Sequence, residues 1–206
     1  MLEDFFLSKR LDKNILEPII SYIESENLDY YCLSSLSSFT RYKSELYDSK
    51  LNYLYKINPN NRYTLGCQAV IWKKDFLKKC VGNGNYNPWI FEGALAKSKK
   101  VHTLAFLSKC VKDDRNLLGL KHGILQQRMI PTTMEYFKKI GEPLSTNREV
   151  MEKKEYRKYV FISWLSAHIP RFLHNLIKIL IKQNNNSVLD RYKLEIETVI
   201  KENFGE

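Results

Sequence analysis

An α/β architecture is expected of this chain on three grounds. An apolar run of strand length, "LEDFFL" at residues 2–7, stands at its start; a helical stripe of Ile15, Leu16, Ile19, Ile20 and Ile23 follows; and two more strand-like runs, "YYCLSSL" and "YTLGCQAVIW", come next. Strand, helix and strand in that order is the pattern of a sheet with helices packed on it.

The opening run is almost continuously apolar, which suits a strand buried on both faces, as in a parallel sheet. Glu3 and Asp4 interrupt it so early that neither the basic nor the apolar region of a signal peptide is present, so residue 1 is read as already inside a folded domain. The helix after it is expected to start at Asp12 or Asn14 as cap, with Pro18 near the permissive first turn and the isoleucine stripe on the sheet. "YYCLSSL" is expected as a second strand. Residues 37–62 form a long polar and aromatic connection of no assigned form. "YTLGCQAVIW" is expected as a further strand running into the short helix "KKDFLKKC".

Gly82 and Gly84 mark a flexible loop, and Asn87 with Pro88 supplies an N-cap and a first-turn proline for a helix that carries Trp89 and Glu92. "KKVHTLAFLSK" is expected as another strand. Pro131 and Gly141 bracket a helix over "PTTMEYFKKIG" by start and stop signals. From residue 146 the composition turns to basic helices, which divides the chain into a domain at 1–145 and a helical tail at 146–206.

With 206 residues, 44% of them hydrophobic and 13% aromatic, the chain can bury a substantial core and is not of disordered composition. Cys32, Cys67, Cys80 and Cys110 form no C-x-x-C pair, which argues against a zinc ribbon or redox motif and suits reduced core thiols in the cytosol. The excess of 33 Lys and Arg over 23 Asp and Glu, net +10, calls for an acidic partner: a phosphate-bearing substrate, an anionic membrane surface or nucleic acid. No apolar run reaches the roughly 18 residues of a spanning helix, since "YVFISWLSAHIP" is broken by His168 and Pro170. The patch "QNNNS" at 183–187 reads as a loop between late helices. P-loop, G-x-G-x-x-G, H-E-x-x-H and G-x-S-x-G signatures are absent.

Three places carry potential chemistry, each with a plainer reading beside it. Adjacent carboxylates at the C-terminal end of a parallel strand stand where open α/β sheets bind ligands, so Glu3 and Asp4 could hold Mg²⁺ or Mn²⁺ on a diphosphate; otherwise they are a turn acid and a capping neighbour. Trp89 and Glu92, three apart on a helix, share a face on which an aromatic platform could pack a sugar ring while the carboxylate deprotonates its hydroxyl. Otherwise they are a core tryptophan and a solvated acid. His122, within "GLKHGI" beside Lys121, could ligate a metal or touch a phosphate; a lone loop histidine usually does neither.

Read together, "MLEDFFLSKRLD", "RYTLGCQAVIWKKDFL", "NPWIFEGALAKSK" and "GLKHGILQQRMIP" resemble, in order and over residues 1–145, a group of bacterial glycosyltransferase-like proteins of capsular and lipopolysaccharide biosynthesis. The resemblance implies a partial GT-A-like, Rossmann-like sheet with flanking helices and a helical C-terminal tail. It implies that Asp4 and Glu3 lie near the donor diphosphate and its metal, with Asp4 counted among the catalytic residues; His122 is a further ligand candidate from the residues alone. It also implies that Gln68, Trp72, Trp89 and Glu92 lie on the acceptor side, with Glu92 as catalytic base; Lys121, beside His122, is counted among the substrate-binding residues for its charge toward a phosphate. The acidic pair is not a strict D-x-D, Gly66-Cys67 stands where a small polar pair is usual, and His122 stands among residues expected to be basic or glycine. Relatives of this kind carry, before the acidic strand, a βα portion for the nucleotide base, so the chain is expected to hold the later part of such a domain.

The expected activity is transfer of a sugar from a nucleotide-sugar donor to a saccharide or lipid-linked acceptor in surface polysaccharide assembly. An accessory protein of the same pathway without catalysis is the rival reading. A basic nucleic-acid binder ranks below both, because no RNP, zinc-finger or helix-turn-helix signature is present and nucleic acid is not expected as a partner. The stretch "PRFLHNLIKILIKQ" places Phe172, Leu173, Leu176, Ile177, Leu180 and Ile181 on one stripe with Arg171, Lys178 and Lys182 beside it. Such a helix either packs on the domain or lies on an anionic cytoplasmic leaflet, which gives an expected location in the cytoplasm or peripherally on the inner face of the cell membrane.

Overall fold

A computed structural model describes residues 5–34, 45–60, 64–168 and 191–206, and shows a mixed α/β chain. Glu3, Asp4, the "QNNNS" patch and the "PRFLHNLIKILIKQ" stripe lie outside the described residues. The chain divides into two compact units, each discontinuous in sequence: residues 11–117 with 184–206, and residues 1–10 with 118–183.

The larger unit begins with α1 (Lys13–Ser25), capped by Asp12, whose carboxylate accepts the Asn14 N–H at 2.8 Å. Pro18 sits one turn further in than expected, inside the helix. Of the isoleucine stripe only Ile19 is fully buried, while Ile15 and Ile20 stay about 40% exposed. Four strands then form one sheet: β2 (Tyr30–Cys32), β3 (Leu54–Lys56), β4 (Val70–Trp72) and β5 (Cys110–Asp113), in the spatial order β3-β5-β2-β4. Only β2 and β5 run parallel; β4 lies antiparallel to β2, and β3 antiparallel to β5. The sheet is therefore mixed, and the expected strand over residues 63–72 contracts to three residues because residues 64–69 form a loop against the sheet.

The segment "KKVHTLAFLSK" forms successive turns instead of a strand. Hydroxyls in it and just before it compete for the backbone: Ser98 Oγ accepts the Val101 N–H at 3.3 Å, and Thr103 Oγ1 donates to Lys100 O at 2.8 Å and accepts the Phe106 N–H at 3.2 Å. The strand begins just after it, at Cys110.

Three helices pack together in the core: α2 (Lys74–Val81), α3 (Pro88–Lys97) and α6 (Lys193–Phe204), the last packing on both of the others. Tyr30, Phe76, Cys80, Phe91, Leu95, Cys110, Ile196, Val199 and Phe204 meet in this core. The last helix is thus part of the core of this unit and not an appendage to it. Glu206, just beyond it, accepts hydrogen bonds from Ser98 Oγ at 2.6 Å, Lys100 N at 2.7 Å and Lys99 N at 2.9 Å. All four cysteines are free thiols, three of them buried.

The smaller unit pairs β1 (Phe5–Leu7) with β6 (Leu120–His122), antiparallel, Phe5 opposite His122. This corrects the expected parallel strand buried on both faces: Phe5 and Phe6 are half-buried and Leu7 is 41% exposed. A hairpin follows, β7 (Ile124–Leu125) and β8 (Arg128–Met129), whose two turn residues Gln126 and Gln127 have φ of +52° and +66°. Positive φ at both central positions is the type I′ turn, which matches strand twist. Helix α4 (Pro131–Lys139) starts at its expected proline and lays Phe137 edge-on against Phe6, 5.7 Å between centroids. Helix α5 (Lys153–His168) is tied back by ion pairs of Glu155 with Arg128 and of Lys153 with Glu135. Among the described residues no helix is long and apolar enough to cross a membrane.

Candidate functional site

The start of α3 is built by local chemistry. Asn87 Oδ1 accepts the Ile90 N–H at 3.0 Å, and Pro88 occupies the first turn, where its missing N–H leaves no bond unmade. The helix so placed carries Trp89, 42% exposed, and Glu92, half-buried one turn later.

Glu92 Oε1 accepts the backbone N–H of Cys67 at 2.7 Å, the length of a charge-assisted bond. Burial pushes the Glu92 carboxyl above the usual carboxylate range, and the hydrogen bonds from Cys67 offset only part of that shift. Burial, together with the neighbouring Glu92 charge, pushes the Cys67 thiol up to about 12, so it stays protonated and can donate. The pair is a carboxylate with a raised proton affinity held by a fixed amide.

Cys67 belongs to the loop of residues 64–69, pinned at three points. Leu65 is fully buried, Gly66 bonds the hydroxyl of Tyr30, and Ala69 O accepts the Leu33 N–H at 2.8 Å. Ala69 holds φ at +47°, a left-handed conformation that costs a non-glycine residue about 1 kcal/mol or more. Gln68, between the pinned points, is half-buried. Trp72, at the end of β4, is also half-buried: its ring meets Tyr30 edge-on at 4.7 Å, stacks on Phe76 at 5.7 Å and tilts against Phe91 of α3 at 6.3 Å. Trp72 thus links the strand to the helix of Glu92 by packing among aromatics.

Of the sequence-derived candidates, Gln68, Trp72, Trp89 and Glu92 fall in the larger unit, and the loop, β4 and α3 hold them. Lys121 and His122 fall in the smaller one. There the Lys121 ammonium lies 4.5 Å from the Tyr136 ring centroid, and the His122 ring stacks on Phe5 at 4.7 Å. Glu3 and Asp4 lie outside the described residues, and among the described residues no group of three His, Cys, Asp or Glu side chains converges on a point where an ion could sit.

A polar network that sequence reasoning missed stands at the carboxyl end of the parallel pair β2–β5. Asp113, fully buried, accepts the Tyr31 hydroxyl at 2.8 Å and the backbone and Nε protons of Arg115, each at 3.0 Å. The Arg115 guanidinium covers the Tyr53 ring at 3.8 Å, and its bonds to Asp113 raise its proton affinity further. The motif "DDR" was its only trace in the chain, and nothing local distinguishes it from a solvated turn.

No protein-family model matches the chain, and neither a curated protein nor a solved structure matches it.

Proposed function

We propose that the chain is a glycosyltransferase-like protein of surface polysaccharide assembly, moving a sugar from a nucleotide-sugar donor to a saccharide or lipid-linked acceptor. The observation that carries this reading is Glu92: a half-buried carboxyl with raised proton affinity, fixed by the Cys67 amide, on a helix that also exposes Trp89. A general base works best when its pKa approaches the working pH, and burial moves Glu92 that way.

In this reading Trp89, with Gln68 and Trp72 of the same unit, receives the acceptor sugar. Glu92 takes the proton of the acceptor hydroxyl as that oxygen bonds the anomeric carbon of the donor. The bond from that carbon to the diphosphate breaks with its electron pair on the diphosphate oxygen, and the proton ends on Glu92. Glu3 and Asp4 would hold Mg²⁺ or Mn²⁺, for which two hard carboxylates suffice as protein ligands, with His122 a further candidate; the ion would supply charge neutralisation at the diphosphate. Lys121 would add a cation toward the same phosphates. A GT-A-like sheet, a cytoplasmic site of action and a peripheral contact with anionic lipid belong to the same proposal.

Isothermal titration of the whole chain with UDP, GDP and dTDP in the presence of Mn²⁺ tests it. Binding of one diphosphate, weakened at least about tenfold by Asp4→Asn, is the expected result, since a lost metal ligand typically removes a factor of that order or more. No binding of any of them, or binding indifferent to Asp4, overturns the donor site and leaves the accessory reading.

A further inference from the structure

We infer that Tyr30 is the positioning residue of the Glu92 site: its buried hydroxyl clamps Gly66, so that the next amide in the chain, that of Cys67, is aimed at the carboxylate. The inference rests on the reading of Glu92 as the base, and it adds a residue that acts on Glu92 without touching substrate.

Tyr30 is 2% exposed, in the central strand β2. Its hydroxyl accepts the Gly66 N–H at 3.1 Å and donates to Gly66 O at 3.3 Å, so one side chain holds both polar groups of one residue. The peptide that follows Gly66 O carries the Cys67 N–H, which donates to Glu92 Oε1 at 2.7 Å. A peptide unit is planar, so fixing the carbonyl of Gly66 fixes the direction of the Cys67 N–H. An N–H···O bond weakens steeply as its angle closes toward about 120°, and a loop free to rock about this peptide would lose the bond.

A phenylalanine would fill the same volume and keep the edge contact with Trp72. The hydroxyl is therefore unnecessary for packing, and its two bonds to the loop are what it adds. A buried hydroxyl is retained at no cost only when it is bonded, and this one is bonded to Gly66 on both counts. Burial, and next the nearby Cys32 thiol, push the Tyr30 phenol far above its ordinary value. The clamp therefore does not titrate in the range where Glu92 does. The titratable neighbour that registers at Glu92 is Cys67, which stays a thiol.

The test reads Glu92 directly, in the whole chain labelled with ¹³C-glutamate. Its carboxyl resonance is assigned by its loss in Glu92→Gln and followed through a pH titration. Tyr30→Phe should raise the Glu92 midpoint by about 1 unit relative to the unaltered chain, because an amide bond that favours the ionised form has been loosened. An unchanged midpoint in a folded Tyr30→Phe chain overturns the inference, since a tyrosine that only fills space would leave Glu92 as it was. Hydrogen exchange in the unaltered chain keeps the question decidable if Tyr30→Phe does not fold: the Gly66 and Cys67 amides should be protected by about 10²-fold or more over free peptide, and exchange at the free-peptide rate overturns the clamp. Turnover unaffected by Glu92→Gln would remove the base and leave the clamp standing, whereas a lost turnover with an unmoved midpoint removes the clamp alone.

Discussion

Glu92 is where folding and chemistry meet at the scale of one side chain. Burial raises its proton affinity in the folded chain above that in the unfolded one, so the folded state binds more protons around the carboxylate range. Stability from this group is therefore fully present below its unfolded pKa and is lost as pH rises through the folded value. Glu92→Gln abolishes that titration, and the expected outcome is a stability that falls less with rising pH over this window than in the unaltered chain, read from urea midpoints at a series of pH values. Identical pH slopes for the two chains would show that Glu92 is solvated as in the unfolded chain. The residue itself was legible in the sequence because its neighbours Asn87 and Pro88 announce the helix and set its face. Its partners were not: the Cys67 amide lies 25 residues away and the Tyr30 hydroxyl 36 from Gly66, and no local pattern encodes such pairings.

Elements with start signals in adjacent residues were placed nearly to their ends, whereas the strands were placed only in part: β2 and β4 lie inside expected runs, and β3 and β5 lie outside them. Helices α3 and α4 begin at Pro88 and Pro131, local first-turn signals, and α3 is also capped by its neighbour Asn87. Strands β3 and β5 are short and gain their order from pairing with each other and with β2, which residue type alone does not reveal. The same split governs helix ends. Helix α2 stops at Gly82, with φ of +67°, and its last carbonyls are satisfied from far along the chain: Asn203 Nδ2 of α6 donates to Cys80 O at 3.1 Å and Val81 O at 2.8 Å. Asn203→Ala leaves those carbonyls without their side-chain donor and should cost about 1 to 2 kcal/mol, a drop of several degrees in Tm by circular dichroism. Asn203→Asp keeps the shape, lacks the amide donors and should lose as much. A Tm unchanged in both would mean that water replaces the cap at no cost.

At the scale of the whole molecule, the composition turns basic after residue 146, while the two compact units divide at residues 10/11, 117/118 and 183/184. The larger unit includes the helix Lys193–Phe204 alongside residues 11–117, and that helix reads as a polar, charged segment. What it contributes is three side chains at one stripe, Ile196, Val199 and Phe204, each no more than 4% exposed, set between α3 and α2. Burying such side chains contributes about 1.5 to 3 kcal/mol each, so together they supply roughly 5 to 9 kcal/mol, a quantity comparable with the whole stability of an ordinary domain. Removing residues 191–206 would also uncover Cys80, Leu95 and Phe106, which pack in the same cluster. A chain ending at residue 190 is therefore expected to lose the cooperative unfolding transition that Trp72 reports by fluorescence, and to bind a hydrophobic dye in buffer alone. Should that chain unfold at the same urea midpoint and with the same slope as the full one, α6 contributes no core, and the sheet and its Glu92 loop stand without it.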